Sequence, residues 1–184
     1  MGPARKKRNH NNGSTCSKVT MLPYTPLQSL PKVIIMSTKT HKLLLLCTGN
    51  TCRSQMAHAM SQQWCQSHGL SFEIESRGIR AKPGDPTTVE VLMVLSQANI
   101  NWQGTSEQLS IADLKWADDV WGMTQEHLDY AEQLGSELNL GSQPRYQLLA
   151  GTHELVDPLN CGLAAYEQLF FALQKLLPNR LGAI

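Results

Sequence analysis

Short apolar runs alternate along the chain with longer stretches in which apolar residues recur at helical spacing. Leu43-Leu44-Leu45-Leu46-Cys47 is an unbroken apolar run that stops at a Gly-Asn pair. A run this short, without polar alternation, predicts a strand buried on both faces, as in a parallel sheet. Ser54 then stands where a helix cap is expected, ahead of Met56, Met60 and Trp64, and Gly69 marks the end of that helix. Phe72 to Glu75 alternates as a second strand, and Pro83, Gly84 and Pro86 predict a loop. Val89, Leu92, Met93 and Leu95 predict the apolar face of a second helix, and Ile111 to Trp116 a third. Asp119 to Met123 predicts a third strand, Thr124 a cap for the helix after it, Tyr146 to Leu149 a fourth strand, and Leu163 to Leu177 a closing amphipathic helix. Alternation on this scale predicts a three-layer α/β sandwich: a four-stranded parallel sheet with helices on both faces.

The first 41 residues break this pattern. They are rich in Asn, Ser, Thr, Pro and Lys, and only Val33 to Met36 forms an apolar cluster. Such a stretch has too little apolar surface to offset its ordering entropy, so 1–41 is expected to be a disordered basic leader and 42–184 the folded domain. An upstream start, with Met21 or Met36 as the true one, is the other account of the leader. Charge divides the same way. Eight of the sixteen Lys and Arg lie in residues 1–42, whereas no Asp or Glu precedes Glu73. An acidic body behind a basic leader argues against a nucleic-acid-binding domain. The longest apolar run is far too short to cross a bilayer, and no apolar segment follows the basic cluster Arg5 to Arg8 as a signal peptide requires. Five cysteines at irregular spacing form no disulfide framework, so a reducing, cytoplasmic location is expected.

Chemistry concentrates in Cys47-Thr48-Gly49-Asn50-Thr51-Cys52-Arg53-Ser54. The cysteine ends a predicted buried strand, the turn holds Gly and Asn where left-handed backbone is cheap, and a helix starts at the arginine. Backbone N–H groups of such a strand–loop–helix turn form an anion cradle at the positive end of the helix. Loop amides from Thr48 to Ser54, with the Arg53 fork, would bind a phosphoryl group. The same cradle is expected to lower the Cys47 pKa, so that a thiolate nucleophile lies beneath the phosphorus. Ser54 can donate to that sulfur. Asp157, at the start of Asp157-Pro158-Leu159 after the last predicted strand, is the candidate proton donor and, in a second step, the base that activates water.

The block from Leu43 to Ser54, together with Asp157-Pro158, resembles the low-molecular-weight protein-tyrosine-phosphatase family, over about Lys42 to Leu177. The resemblance implies a phosphate-binding loop after the first strand, Cys47 as nucleophile, Arg53 as clamp, Asn50 as loop-shaping residue and Asp157 as acid and base. It implies no metal and no organic cofactor. The expected partner is a phosphorylated protein, attacked by a monomer with no nucleic acid or membrane involved. The sequence also departs from the family. Gln55 and His58 replace the usual Pro and Glu, Leu159 replaces the aromatic residue after Asp-Pro, and Gly104 lies about where a supporting His is common. Phosphotyrosine is the substrate the resemblance implies by default; Thr51 instead resembles bacterial protein-arginine phosphatases, where a small polar residue suits a planar guanidinium. Arg80 and Lys82, in the expected rim loop, oppose a cationic phosphoguanidine.

Three other readings attach to the same residues. Gln55 also resembles thioredoxin-linked arsenate reductases, which need two further cysteines after the third strand; Met123 to Gly135 contains none. A metal site from Cys47, Cys52, His58 and Cys65 matches no common zinc spacing. A phosphate-binding module without turnover would explain Leu159 and Gly104 but not the retention of Cys47, Arg53 and Asp157. Cys52 is placed for a reversible disulfide with Cys47 or for packing under the loop, Cys161 reads as a buried loop cysteine, and Trp102 as core or a substrate wall. His41, His68, His127 and His153 receive no partner from the pattern.

Overall fold

The computed structural model describes residues 39–136 and 143–184, so the expectation of a disordered leader lies outside the described residues except at its last few positions. Four strands form one sheet: β1 (His41–Cys47), β2 (Phe72–Gly78), β3 (Asp119–Gly122) and β4 (Arg145–Leu148), in the order β2-β1-β3-β4. Every pairing is parallel, with Leu43 opposite Ile74 in β2 and opposite Asp119 in β3. The helices are α1 (Arg53–His68), α2 (Val89–Gln97), α3 (Ile111–Trp116), α4 (Gln125–Ser136) and α5 (Leu163–Leu181).

The leucine run explains the layering. Successive side chains of a strand face opposite ways, so Leu43, Leu45 and Cys47 join one core with α1, α2 and α5, while Leu44 and Leu46 join a second with α3 and α4. All four leucines are 0% exposed, which is why no polar residue interrupts them. With β2 and β3 on opposite sides of β1, the chain leaves the sheet in opposite directions from its centre. The carboxyl end of β1 is therefore the switch point at which open parallel sheets hold ligands.

Local details depart from the pattern in two elements. Ser54 does not cap α1. Cys52 occupies the cap position but makes no side-chain capping bond, and Ser54 lies inside the first turn with its hydroxyl spent elsewhere. In α2 the buried face is Val91, Val94 and Leu95, and Val89 and Met93 are turned outward. Six of the nine residues of that helix are apolar, and between Val89 and Leu95 only Glu90 is polar, so the spacing alone could not fix its rotation.

Candidate active site

The loop Cys47–Ser54 lies at the switch point. Asn50 adopts φ 55°, a left-handed conformation that Asn tolerates better than most residues. The first residues past β2 close over the loop: Ile79 N–H donates to the Cys47 carbonyl at 3.0 Å and Arg80 N–H to the Thr48 carbonyl at 2.9 Å. Gly78 makes that approach possible, since a Cβ there would lie 2.7 Å from the Thr48 carbonyl oxygen.

Cys47 is 2% exposed, and its sulfur faces the Asn50 backbone N–H at 3.2 Å, the Ser54 hydroxyl at 3.0 Å and the Ser54 backbone N–H. The direction of the second bond follows from its neighbours. Asn50 Nδ2 donates to Ser54 Oγ at 2.8 Å, leaving the Ser54 proton for sulfur. Asn50 also donates to Ser76 Oγ at 3.0 Å and accepts from Glu107 N–H at 2.8 Å. Its buried amide is thereby held on three sides. His58 Nδ1 reaches Ser76 Oγ from behind at 3.3 Å, and burial lowers the His58 pKa to about 4.

The expected lowering of the Cys47 pKa is corrected by this geometry. Burial, the largest influence, pushes the thiol up, while Ser54, Arg53 and Asn50 pull it down. Burial prevails over the three. The donors nevertheless converge on sulfur and favour the anion whenever it forms.

Arg53 is 4% exposed and anchored at three points. Nη1 donates to the Leu155 carbonyl at 3.1 Å, and Nη2 donates to Thr48 Oγ1 at 3.2 Å and to Asp157 Oδ2 at 2.5 Å. Leu155 is itself tied to the end of β3, its N–H donating to the Met123 carbonyl at 2.8 Å. Asp157 folds its own turn, with Oδ1 accepting from Leu159 N–H at 3.2 Å, and its side chain remains 42% exposed at the mouth. The structure thus brings these residues to one loop in two hydrogen-bonded groups, Cys47 with Asn50 and Ser54, and Arg53 with Thr48 and Asp157. Gly49 and Thr51 form the outer turn, where the Thr51 carbonyl accepts from Thr88 N–H at 3.1 Å. Cys52 is buried beneath it, against Tyr166 Oη and Thr88 Oγ1, both at 3.5 Å.

Two departures from the family pattern prove to be one. Gln55, buried, accepts from Trp102 Nε1 at 2.8 Å and donates to the Thr105 carbonyl at 3.0 Å. A Cβ on Gly104 would lie 2.0 Å from Gln55 Oε1. Gln55 therefore fills the room a larger residue at 104 would need, and Asn50 draws its support from Ser76 and Glu107 instead. Trp102 is tied to Gln55 and packed on His58 with ring centroids 4.7 Å apart. Cys161 is exposed, contrary to the expectation of a buried loop cysteine, with its sulfur 3.5 Å from the Leu159 carbonyl. No group of three or more metal-ligating side chains converges among the described residues, so Cys47, Cys52, His58 and Cys65 do not form a cluster. His127 is buried against Thr48, a partner the apolar pattern does not supply; the local signal is the Thr124-to-His127 spacing, that of a capping residue and its reciprocal partner.

A strand-end cysteine in an amide loop, clamped by the following arginine beneath a loop aspartate, defines a phosphoryl-transfer enzyme of the cysteine-dependent kind. Residues 42–183 match the family model for low molecular weight phosphotyrosine protein phosphatase, and the chain belongs to that family. It is 31% identical over 138 residues to the protein-arginine-phosphatase of Geobacillus stearothermophilus, covering 74% of this chain and 91% of that one. It is 30% identical over 140 residues to the low molecular weight protein-tyrosine-phosphatase PtpB of Staphylococcus aureus, covering 73% and 96%. A solved structure of the YwlE arginine phosphatase, in which the active-site cysteine is replaced by a phosphorylated serine, superposes with a TM-score of 0.70 at 26% identity, covering 77% of this chain and 94% of that one. The protein is a cysteine-dependent protein phosphatase, a hydrolase acting on phosphorylated protein. No helix among the described residues is long and apolar enough to cross a membrane.

Proposed function

We propose that Cys47, Arg53 and Asp157 carry the reaction, with the amides of Thr48 to Ser54 binding the phosphoryl oxygens. A thiol with a dianionic phosphoryl group and a thiolate with a monoanionic one hold the same protons, so a proton passed within the cradle yields the sulfur anion despite its burial. Sγ attacks phosphorus, the bond from phosphorus to the leaving atom breaks, and Asp157 delivers a proton to that atom. Water then attacks the cysteinyl-phosphate, its proton passes to the Asp157 carboxylate, and the S–P bond breaks with Ser54 stabilising the departing sulfur. The observation that carries this reading is a pair of hydrogen-bonded chains on one loop, from Cys47 through Ser54 to Asn50 and from Arg53 to Asp157.

Protein phosphoarginine is the substrate class the site supports best. Thr51 presents a small polar side chain at the outer turn, and no aromatic residue follows Asp157-Pro158. The rim cations that opposed a guanidinium are paired: Arg80 with Glu126 at 2.8 Å and Lys82 with Asp85 at 3.5 Å. Relatives named as arginine phosphatases point the same way. Phosphotyrosine is the second reading, favoured by the relatives named as tyrosine phosphatases. Turnover of matched phosphoarginine and phosphotyrosine peptides by wild type and Thr51→Ile tests this. The expected result is a phosphoarginine preference that falls at least about tenfold in the variant, the scale of about 1.4 kcal/mol in the barrier. A preference indifferent to residue 51 would return the assignment to phosphotyrosine. The catalytic unit is read as residues 42–184, working as a cytoplasmic monomer, with segment 1–41 carrying none of the chemistry.

A further inference from the structure

His127 has no part in the steps above, yet it is 0% exposed and sits against the arginine clamp. Its Nδ1 lies 3.0 Å from the Thr124 backbone nitrogen, and its Nε2 lies 3.0 Å from Thr48 Oγ1. A backbone N–H only donates, so Nδ1 holds the lone pair and, in a neutral ring, Nε2 carries the proton. Burial and the Arg53 cation keep the ring neutral, with its pKa lowered to about 4 against the opposing pull of Glu126, Asp157 and Glu154. Thr48 Oγ1 therefore accepts from His127, and it also accepts from Arg53 Nη2 at 3.2 Å, because a guanidinium has only donors. Both lone pairs of the hydroxyl are filled, and its one proton points away from both donors. The hydroxyl lies next to the acid/base residue, since Arg53 Nη2 bridges Thr48 Oγ1 and Asp157 Oδ2.

We propose that His127 is a positioning residue for phosphoryl transfer: by donating to Thr48 it obliges that hydroxyl to act as a hydrogen-bond donor at the mouth of the cradle, beside Asp157. The loop then offers one side-chain donor in addition to its amides and Arg53, directed at the side where the leaving atom departs and water enters. This rests on the assignment of Cys47, Arg53 and Asp157 made above. It also gives a physical reason for a hydroxyl at position 48, which an aliphatic residue of the same shape would not supply.

Steady-state turnover of p-nitrophenyl phosphate by Thr48→Val, Thr48→Ser, His127→Asn and the Thr48→Val/His127→Asn double variant provides the test. Asn at 127 keeps an acceptor for the Thr124 N–H but is too short to reach Thr48. Thr48→Val and His127→Asn should each lower kcat about tenfold, the scale of one well-directed hydrogen bond, with KM within about twofold. Thr48→Ser should recover most of the loss. The double variant should be no slower than Thr48→Val, because His127 acts only through that hydroxyl. In wild-type protein, long-range ¹H–¹⁵N spectra should show the His127 ring protonated on Nε2. Multiplicative losses in the double variant, a loss confined to KM, no recovery with Ser, or a ring protonated on Nδ1 would each overturn the proposal. If His127→Asn does not fold, the wild-type tautomer and the recovery by Thr48→Ser decide the matter. Failure of the underlying mechanism reads differently: Cys47→Ser would then leave turnover intact, whatever happens at 48 and 127.

Discussion

Replacing Ser54 by Ala removes the hydroxyl proton held 3.0 Å from the Cys47 sulfur and leaves two loop donors, the backbone N–H groups of Asn50, at 3.2 Å, and of residue 54 itself. A hydrogen bond to a charged group contributes about 1.5–3 kcal/mol. At about 1.4 kcal/mol per pKa unit, its loss should raise the Cys47 pKa by about one to two units above the wild-type value. The variant also frees Asn50 Nδ2 from one acceptor but leaves it Ser76, so the loop keeps most of its bracing. The assay is the pH dependence of iodoacetamide alkylation, read on the Cys47 peptide by mass spectrometry because Cys161 is exposed and reacts as well. Midpoints are compared, since a more basic thiolate is also a better nucleophile and partly masks the loss in rate at one pH. Sulfur is also the leaving group of the second step, so the variant should accumulate cysteinyl-phosphate and show a larger burst before a slower steady state. An alkylation profile superimposable on wild type, with no added burst, would refute the role given to Ser54.

Other predictions concern the scaffold. His58 and His127 both have pKa values lowered to about 4 from an ordinary 6.5, so the folded state binds their protons less readily than the unfolded chain. Their contribution to stability is complete above pH 6.5 and is lost as pH falls toward 4, on the order of 3 kcal/mol for buried His127; denaturant midpoints measured from pH 7 to pH 4 should fall steeply, and a flat profile would contradict their burial as neutral rings. Gly104→Ala forces a Cβ to 2.0 Å from Gln55 Oε1 and should destabilise by about 1–3 kcal/mol, with Gln55→Ala in the same chain recovering part of the loss in Tm. Gly78→Ala presses on the Thr48 carbonyl, which is backbone and cannot swing aside, so kcat should fall more than tenfold while phosphate protection of the fold weakens.

The leucine run and the turn after it carried most of what was legible. Complete burial of Leu43 to Leu46 on both faces accounts for a parallel centre strand, and the Cys-to-Ser block at its end located the cradle. What escaped the sequence depends on partners far along the chain. The pairing of Gln55 with Gly104 looks like two unrelated departures until the side chain is seen filling the space above the glycine. His127 looked unpartnered because its acceptor, Thr48, lies at the end of another strand. Cys47 illustrates a different limit. The local motif supplies donors that favour the thiolate, but depth of burial, which opposes it, is a property of the whole fold.

The proposed chemistry turns on a transient bond between Cys47 Sγ and phosphorus. Rapid acid quench during turnover of a labelled phosphopeptide, followed by peptide mapping, tests it directly. A phosphoryl adduct on the Cys47 peptide should build within the first turnover and persist longer in Asp157→Asn. Full turnover with label never appearing on that peptide would contradict it.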